Sequence, residues 1–236
     1  WYYQAVYDTL LKKKEDASLI PGLASSWKYN ADQTVLTLNL RPGQKFTDGT
    51  AVDAKAVVAN LNAFKAGKSP DASNIASMVS AKAKGNTQVV ITLKDVDPAF
   101  VNYLARNAGL LESPKHIGAS DEKTNPVGSG PYTLNKLKSK FGSVYTFNRN
   151  PKYWNSKAYP YDTVVMKVIS DATAMVNALK TKAVDAANLA SNDSITELMA
   201  AGLKFETNTL DWVGLSFVDR SGNLNSAIKD VKIGRA

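Results

Sequence analysis

Residues 125–155 read NPVGSGPYTLNKLKSKFGSVYTFNRNPKYWN, and the punctuation of this stretch decides how the chain is laid out. Gly128 and Gly130 bracket Ser129, and Pro131 follows at once. A backbone free to take positive φ therefore runs into a residue whose φ is locked near about −65°, so a strand starts sharply at Tyr132. Apolar residues alternate loosely through Leu134 and Leu137, and the chain pauses over Lys138–Gly142. It returns as Val144-Tyr145-Thr146-Phe147 before Asn150-Pro151 stops it. The stretch reads as a β-hairpin.

Upstream, Tyr2–Leu11 has apolar residues at Val6, Leu10 and Leu11, a spacing that suits a helix. Ile20-Pro21-Gly22 is a turn, and Leu23–Trp27 opens the next element. Leu36, Leu38 and Leu40 share one face with Thr37 and Asn39 opposite, the period of a half-buried strand over Thr34–Leu40. Asp48-Gly49 turns the chain. Asp53 then caps a helix carrying Val57, Leu61 and Phe64. Gly67–Asn74 is small, polar and loop-like, and Val89, Ile91 and Leu93 mark a second alternating strand over Thr87–Leu93. Asp97-Pro98 starts a helix with Phe100, Val101 and Leu104 on its buried stripe, ending near Asn107-Ala108-Gly109.

Downstream, Val164, Met166 and Val168 alternate as a strand, Asp171 caps a helix with Met175, Val176 and Leu179, and Val184–Ala187 resumes as a strand. That order predicts a β-α-β unit with a right-handed crossover and parallel strands. Ser194 and Glu197 fit a capping box for a helix ending at Gly202, and Phe205–Phe217 reads as extended chain.

The 236 residues are 44% hydrophobic and 21% charged, which suits one large or two small globular domains rather than a disordered chain. No apolar run approaches the ~20 residues that span a bilayer. With no initiator Met and no charged-then-apolar leader before Trp1, the chain is expected to have lost its natural beginning. The absence of cysteine excludes disulfides and thiol chemistry. The net charge of +8 is carried by residues read as scattered over a solvated surface, and no basic motif interleaved with aromatics points to nucleic acid.

A catalytic site is hard to assemble. His116 is the single histidine, so no two-histidine metal pair exists. Ala66-Gly67-Lys68-Ser69 mimics the end of a phosphate loop, but Asn62 stands where its first glycine is required. Gly128-Ser129-Gly130 lacks the flanks of a nucleophile elbow, and no second histidine could act as base. No catalytic residue, metal or cofactor is assigned. The 10 Tyr and 4 Trp instead supply rigid amphipathic surface suited to binding.

The pairing of Pro126-Val127-Gly128-Ser129-Gly130-Pro131-Tyr132 with Asn150-Pro151-Lys152-Tyr153-Trp154-Asn155 resembles the extracytoplasmic solute-binding proteins of family 5, the peptide, nickel and oligosaccharide receptors of ABC importers. Further echoes stand in order along the chain: Pro21–Trp27, Leu40–Thr50, Ile169-Ser170-Asp171, Ala178-Leu179-Lys180 with Val184-Asp185, and Lys229–Ala236.

The resemblance implies an α/β fold, a periplasmic-binding-protein-like lobe with two subdomains. A mixed-sheet part is built from residues 1–11 and 126–236, and a β-rich part over 12–125 is inserted into it. It also implies that the second lobe is absent, Lys229–Ala236 being only the start of the passage towards it. Within the family a strand lines the interlobe cleft where Asp211, Trp212 and Val213 stand, and Trp212 reads either as lining that cleft or as plain core. A loop corresponding to Ser73-Asn74-Ile75 reaches the ligand, and Tyr2 and Tyr3 lie near the ligand-proximal N-terminal loop. Val218-Asp219 departs from the family's usual Asn-Thr.

The implied function is the capture of a small solute, foremost a short peptide, by a monomer outside the cytoplasmic membrane, in the periplasm or as an anchored lipoprotein, and its delivery to an ABC permease. A single histidine and no cysteine argue against nickel. The competing expectation is a protein-interaction or scaffold module that retains the lobe without transport.

Overall fold

The computed structural model describes residues 2–189 and 194–205. Its contacts divide the chain into a unit of Trp1–Gly202 and a unit of Leu203–Ala236, and every helix and strand described lies in the first.

The chain opens with a short helix, α1 (Tyr2–Val6), then two short strands, β1 (Asp8–Thr9) and β2 (Leu11–Lys13), and β3 (Leu19–Pro21). The helix expected over Tyr2–Leu11 thus stops after Val6. Its continuation is outcompeted by bonds across the chain: the Val6 carbonyl accepts from Gly130 N at 2.7 Å, while Leu10 N and Leu11 N donate to Gly109 O and Leu104 O at 2.9 and 3.1 Å. With those donors engaged elsewhere, the i to i−4 ladder cannot extend.

Next come β4 (Ala24–Tyr29), β5 (Val35–Leu40), the helix α2 (Ala54–Ala66), β6 (Met78–Lys84) and β7 (Gln88–Leu93). The strands form an antiparallel sheet of order β4-β5-β7-β6, with Leu38 opposite Trp27 on one side and Val89 on the other. Leu36, Leu38 and Leu40 face the core with Val89, Ile91 and Leu93, and α2 covers them with Ala54, Val57 and Leu61. Each fully buried leucine here contributes roughly 1.5–3 kcal/mol. Asp53 caps α2 by accepting from Ala56 N at 2.8 Å. The loop expected over Gly67–Asn74 contains a 3₁₀ turn, Pro70–Ile75, anchored by the buried Ile75.

The helix expected after Asp97-Pro98 shrinks to α3 (Phe100–Tyr103), followed by a 3₁₀ turn, Asn107–Gly109, and β8 (Leu110–Leu111), which pairs with β1. Asp97 Oδ1 accepts from the amides of Ala99 and Phe100, both at 3.1 Å. Gly109 lies against Leu104, where an added Cβ would sit 1.8 Å from the Leu104 carbonyl oxygen. That approach folds the chain back before a second helical turn can form.

The expected hairpin forms as β9 (Tyr132–Leu134) and β10 (Val144–Arg149), and β11 (Thr163–Lys167) pairs along the other side of β10. The packing of α1 against this three-stranded sheet brings Ala5, Val6 and Tyr7 onto Tyr132 and Phe147, a second cluster beside the larger core. Val164 and Met166 pack partly against it, whereas Val168 lies past the strand and is exposed. Gly128 and Gly130 are not among the glycines with positive φ. They are required by close approach, since a Cβ on either would lie 2.1 or 2.4 Å from the Val6 carbonyl oxygen.

Beyond β11 come α4 (Ala172–Lys180), capped by Asp171 through Ala174 N at 2.7 Å, and α5 (Ile195–Ala200). No strand forms over Val184–Ala187, so the β-α-β unit is corrected. Lys182 takes φ +58°, and Ala183 N returns to Ala178 O at 2.8 Å, so the chain closes over the end of α4. Every strand pair among the described residues is antiparallel. The capping box at Ser194 is likewise absent: its hydroxyl makes no cap bond, and Glu197 pairs with Lys180 at 2.8 Å. Apart from Phe205 itself, the extended chain expected over Phe205–Phe217 lies outside the described residues, as does the segment Lys229–Ala236.

Candidate functional site

Three segments distant in sequence wall a recess of about 310 Å³, at the small end of the ~300–1,000 Å³ typical of ligand sites. Gln4 comes from α1. Asp71 and Asn74 come from the 3₁₀ turn 70–75, and Tyr103, Ala105, Arg106, Asn107 and Ala108 from the bend after α3. The turn is held by Ser69, whose hydroxyl accepts from Asp71 N at 3.2 Å, and by Ser73, which donates to Pro70 O at 3.0 Å. The bend is held by Arg106 N donating to Tyr103 O at 3.0 Å and Gly109 N to Arg106 O at 2.9 Å. A hydrogen bond from Asn107 Nδ2 to Asp71 Oδ2 ties the two walls together.

These constraints leave the polar groups facing solvent from fixed backbone. Arg106 is exposed and forms no ion pair with a described residue. Its planar fork of donors matches a carboxylate in two parallel hydrogen bonds. Around it the amides of Gln4, Asn74 and Asn107 offer both donors and acceptors, and Asp71 offers a carboxylate. The set suits a zwitterionic or amide-bearing solute.

Just past α1, a polar network joins Tyr7 to Glu112, His116 and Asp121. Glu112, 6% exposed, accepts from the Tyr7 hydroxyl and meets His116 Nδ1, both at 2.8 Å, while His116 Nε2 meets Asp121 Oδ1 at 3.1 Å. Asn60 clasps the Glu112 backbone, accepting from its N at 2.9 Å and donating to its O at 2.8 Å. Burial pushes the Glu112 carboxyl above its ordinary value against the pull of its hydrogen bonds, and the bond to Glu112 holds the His116 imidazole above 6.5. Tyr7 is pushed up by burial first and by Glu112 second.

Of the residues expected at the site, Asn74 lines the recess. Tyr2 does not line it: its ring tilts onto Tyr145 and Phe147 at centroid distances of 4.9 and 5.8 Å, and its hydroxyl donates to Lys123 O at 3.2 Å. Nor does Tyr3 line it. That ring is 41% exposed and stacks on Tyr7 at 5.6 Å. Asp211, Trp212 and Val213 lie outside the described residues. Sequence reasoning missed Gln4, Asp71, Arg106 and Asn107. The available signal was an arginine in a four-residue bend between the apolar anchor Leu104 and the obligatory glycine Gly109.

A family model described as bacterial extracellular solute-binding proteins, family 5 Middle, matches residues 18–236. The nickel-binding periplasmic protein of Escherichia coli (strain K12) is 32% identical over 76% of this chain and 35% of its own length. A probable peptide ABC transporter periplasmic-binding protein of Sinorhizobium fredii is 26% identical, over 98% of this chain and 46% of that one. The solved oligopeptide-binding protein AppA of Bacillus subtilis, in complex with a nonapeptide, superposes with a TM-score of 0.68 at 27% identity, over 82% of this chain and 40% of AppA. The chain spans less than half the length of each of these relatives. With its hairpin, its antiparallel sheet under α2 and a family match over nearly its whole length, the chain belongs to the bacterial extracellular solute-binding proteins of family 5.

Proposed function

We propose that this chain supplies one wall of the binding site of an extracytoplasmic receptor, which captures a short peptide as a monomer and hands it to an ABC permease without chemical change. The observation that carries the reading is Arg106, held on a braced bend beside Asp71, Asn74 and Gln4 with no described counter-ion. A peptide with free ends complements this wall: its carboxylate pairs with Arg106, its ammonium with Asp71, and its backbone amides with the side-chain amides. Relatives named for peptide binding support the ligand class.

The reading also assigns residues 1–11 and 126–236 to one subdomain and 12–125 to an inserted one. The two hydrophobic clusters support it except at Leu10 and Leu11: these join Leu23 to Leu111 in the larger, whereas Ala5, Val6, Tyr7, Tyr132 and Phe147 supply the smaller. Asp211, Trp212 and Val213, outside the described residues, remain proposed as ligand contacts.

Calorimetry with short peptides, free or amidated at the C-terminus, tests the assignment. Arg106→Ala is expected to weaken binding of the free peptide by roughly 10- to 100-fold, the worth of a hydrogen-bonded charge pair. Amidation should cause a similar loss in the wild type and little further loss in the variant. Equal affinity of wild type and variant for the free peptide sinks the reading.

A further inference from the structure

The net charge of the chain is concentrated. Residues 123–161 contain seven Lys and Arg and no Asp or Glu, so this stretch holds nearly all of the +8 excess. Three of those cations, Lys136, Lys138 and Lys140, are exposed on the loop joining β9 to β10. Between them stands Leu137, 99% exposed. A lone exposed leucine needs no explanation. This one caps a projecting turn, with Phe141 at 43% exposure on the same loop and Val168 at 57% beside it, where Val168 N bonds to Ser143 O at 2.8 Å.

The loop is built to hold that shape. Asn135 Oδ1 accepts from Lys138 N at 3.2 Å, and Ser139 Oγ donates to Asn135 O at 2.7 Å while accepting from Thr146 N at 2.9 Å. The buried Thr146 hydroxyl donates to Lys138 O at 2.9 Å. Gly142, at φ +80°, donates its amide to the Tyr145 hydroxyl at 2.9 Å, and Phe141 meets the Tyr145 ring edge-on at 5.6 Å. A 3₁₀ turn over Lys136–Lys138 places Leu137 at the crest. So many bonds fix the backbone that the outward leucine is not a by-product of slack. None of the three lysines forms an ion pair with a described residue.

We propose that this hairpin tip is a membrane-surface contact: Leu137 and Phe141 enter the interfacial region of a bilayer while Lys136, Lys138 and Lys140 pair with anionic lipid headgroups. Apolar side chains at a crest with lysines around it match the two layers of a bilayer surface, apolar below and anionic above. The charge complementarity is one-sided at the crest, because residues 123–161 contain no acidic residue and the flanking Asp162 is taken up by Arg149 at 2.6 Å rather than by the three lysines. A lipid surface is favoured over a protein partner because the crest is a projecting point, with Leu137 99% exposed between lysines.

Cosedimentation with vesicles of phosphatidylglycerol and phosphatidylcholine, against phosphatidylcholine alone, measures the contact. The full chain is expected to bind the anionic vesicles, with affinity falling as salt rises, and to leave the neutral ones unbound. The triple variant K136Q/K138Q/K140Q should lose roughly a hundredfold in partitioning. Leu137→Ser should lose about tenfold or more, and since that side chain packs against nothing, its melting temperature should match the wild type. As a charge-matched control, K28Q/K82Q/K84Q on the four-stranded sheet should bind nearly as well as the wild type. The chain has no cysteine, so Leu137→Cys and Ala31→Cys carry a polarity-sensitive dye at single sites. The dye should shift to the blue on anionic vesicles at position 137 and not at 31. Absence of binding to anionic vesicles overturns the proposal. So do equal losses from the two lysine triples, an unshifted dye at 137, or tip-dependent binding to a purified permease with none to vesicles.

Discussion

The Gly130 amide lies 2.7 Å from the carbonyl oxygen of Val6, and an added Cβ on Gly130 would lie 2.4 Å from that same oxygen. One contact therefore ends α1, starts β9 and leaves no room for a side chain. Gly130→Ala should destabilise the protein by about 2 kcal/mol or more, because the neighbour in the way is backbone that cannot rotate aside. Gly43→Ala serves as the contrast. Its Cβ would meet open space, and its φ of +75° should limit the cost to about 1 kcal/mol. Urea midpoints measure both, and a smaller loss at Gly130 than at Gly43 refutes the argument from close approach.

Tyr153 and Trp154 close a box around Lys12. Its Nζ lies 2.7 Å from the Tyr153 hydroxyl and 3.2 Å from Asp8 Oδ1, while Trp154 Nε1 donates to Asp8 Oδ2 at 2.7 Å. Arg41 stacks over the Trp154 ring at 4.1 Å. Asp8 is 3% exposed, so removal of its partners strands a buried carboxylate. Lys12→Met is expected to cost about 2–4 kcal/mol and Trp154→Phe about 1–2 kcal/mol, and the double variant should lose more than the sum. Thermal melts that show simple additivity would separate the two residues energetically.

The network at Glu112 makes stability depend on pH. His116 has its pKa raised above 6.5, first by its hydrogen bond to Glu112, so its stabilising contribution is complete below about 6.5 and disappears as pH rises through the higher folded value. Glu112, raised above 4.5 by burial, acts in the same direction from lower pH, whereas Asp121, lowered below 3.8 chiefly by Asn125, matters only in acid. Between about pH 6 and pH 8 the wild type should therefore lose stability that His116→Gln does not lose. Parallel stability curves for the two proteins over that range exclude His116 as the cause.

Much of the fold was legible because local pattern and tertiary packing agreed. Leu36, Leu38 and Leu40 alternate in sequence and are all buried, and Asp53 and Asp171 cap the helices they precede. Legibility failed where long-range hydrogen bonds decided the outcome. Nothing local to Tyr2–Leu11 reports that Leu104, Gly109 and Gly130 will claim its backbone, and the strand expected at Val184–Ala187 gives way to the closure of α4 by Lys182. Of the residues around the recess, the sequence singles out Asn74 alone. Asp71, Arg106 and Asn107 are ordinary polar residues in sequence, and their meeting depends on two bends braced by Ser69 and Gly109.

The brace between Asn107 and Asp71 separates binding from folding. Both residues sit on the rim of the recess, and the bond between them joins the 3₁₀ turn to the Arg106 bend. Asn107→Ala should cost under about 1 kcal/mol of stability, since an exposed side-chain hydrogen bond is worth little against water. The bend would then be free to carry Arg106 away from Asp71 and Asn74, and a displacement of about 1 Å is enough to weaken a two-point grip on carboxylate and ammonium. Binding of a free-ended short peptide should fall several-fold in Asn107→Ala. In the double variant with Arg106→Ala that loss should largely vanish, because the brace acts through Arg106. Calorimetry on the four proteins of the cycle gives the coupling directly. Independent, additive losses would mean that Asn107 meets the ligand itself rather than positioning its neighbour.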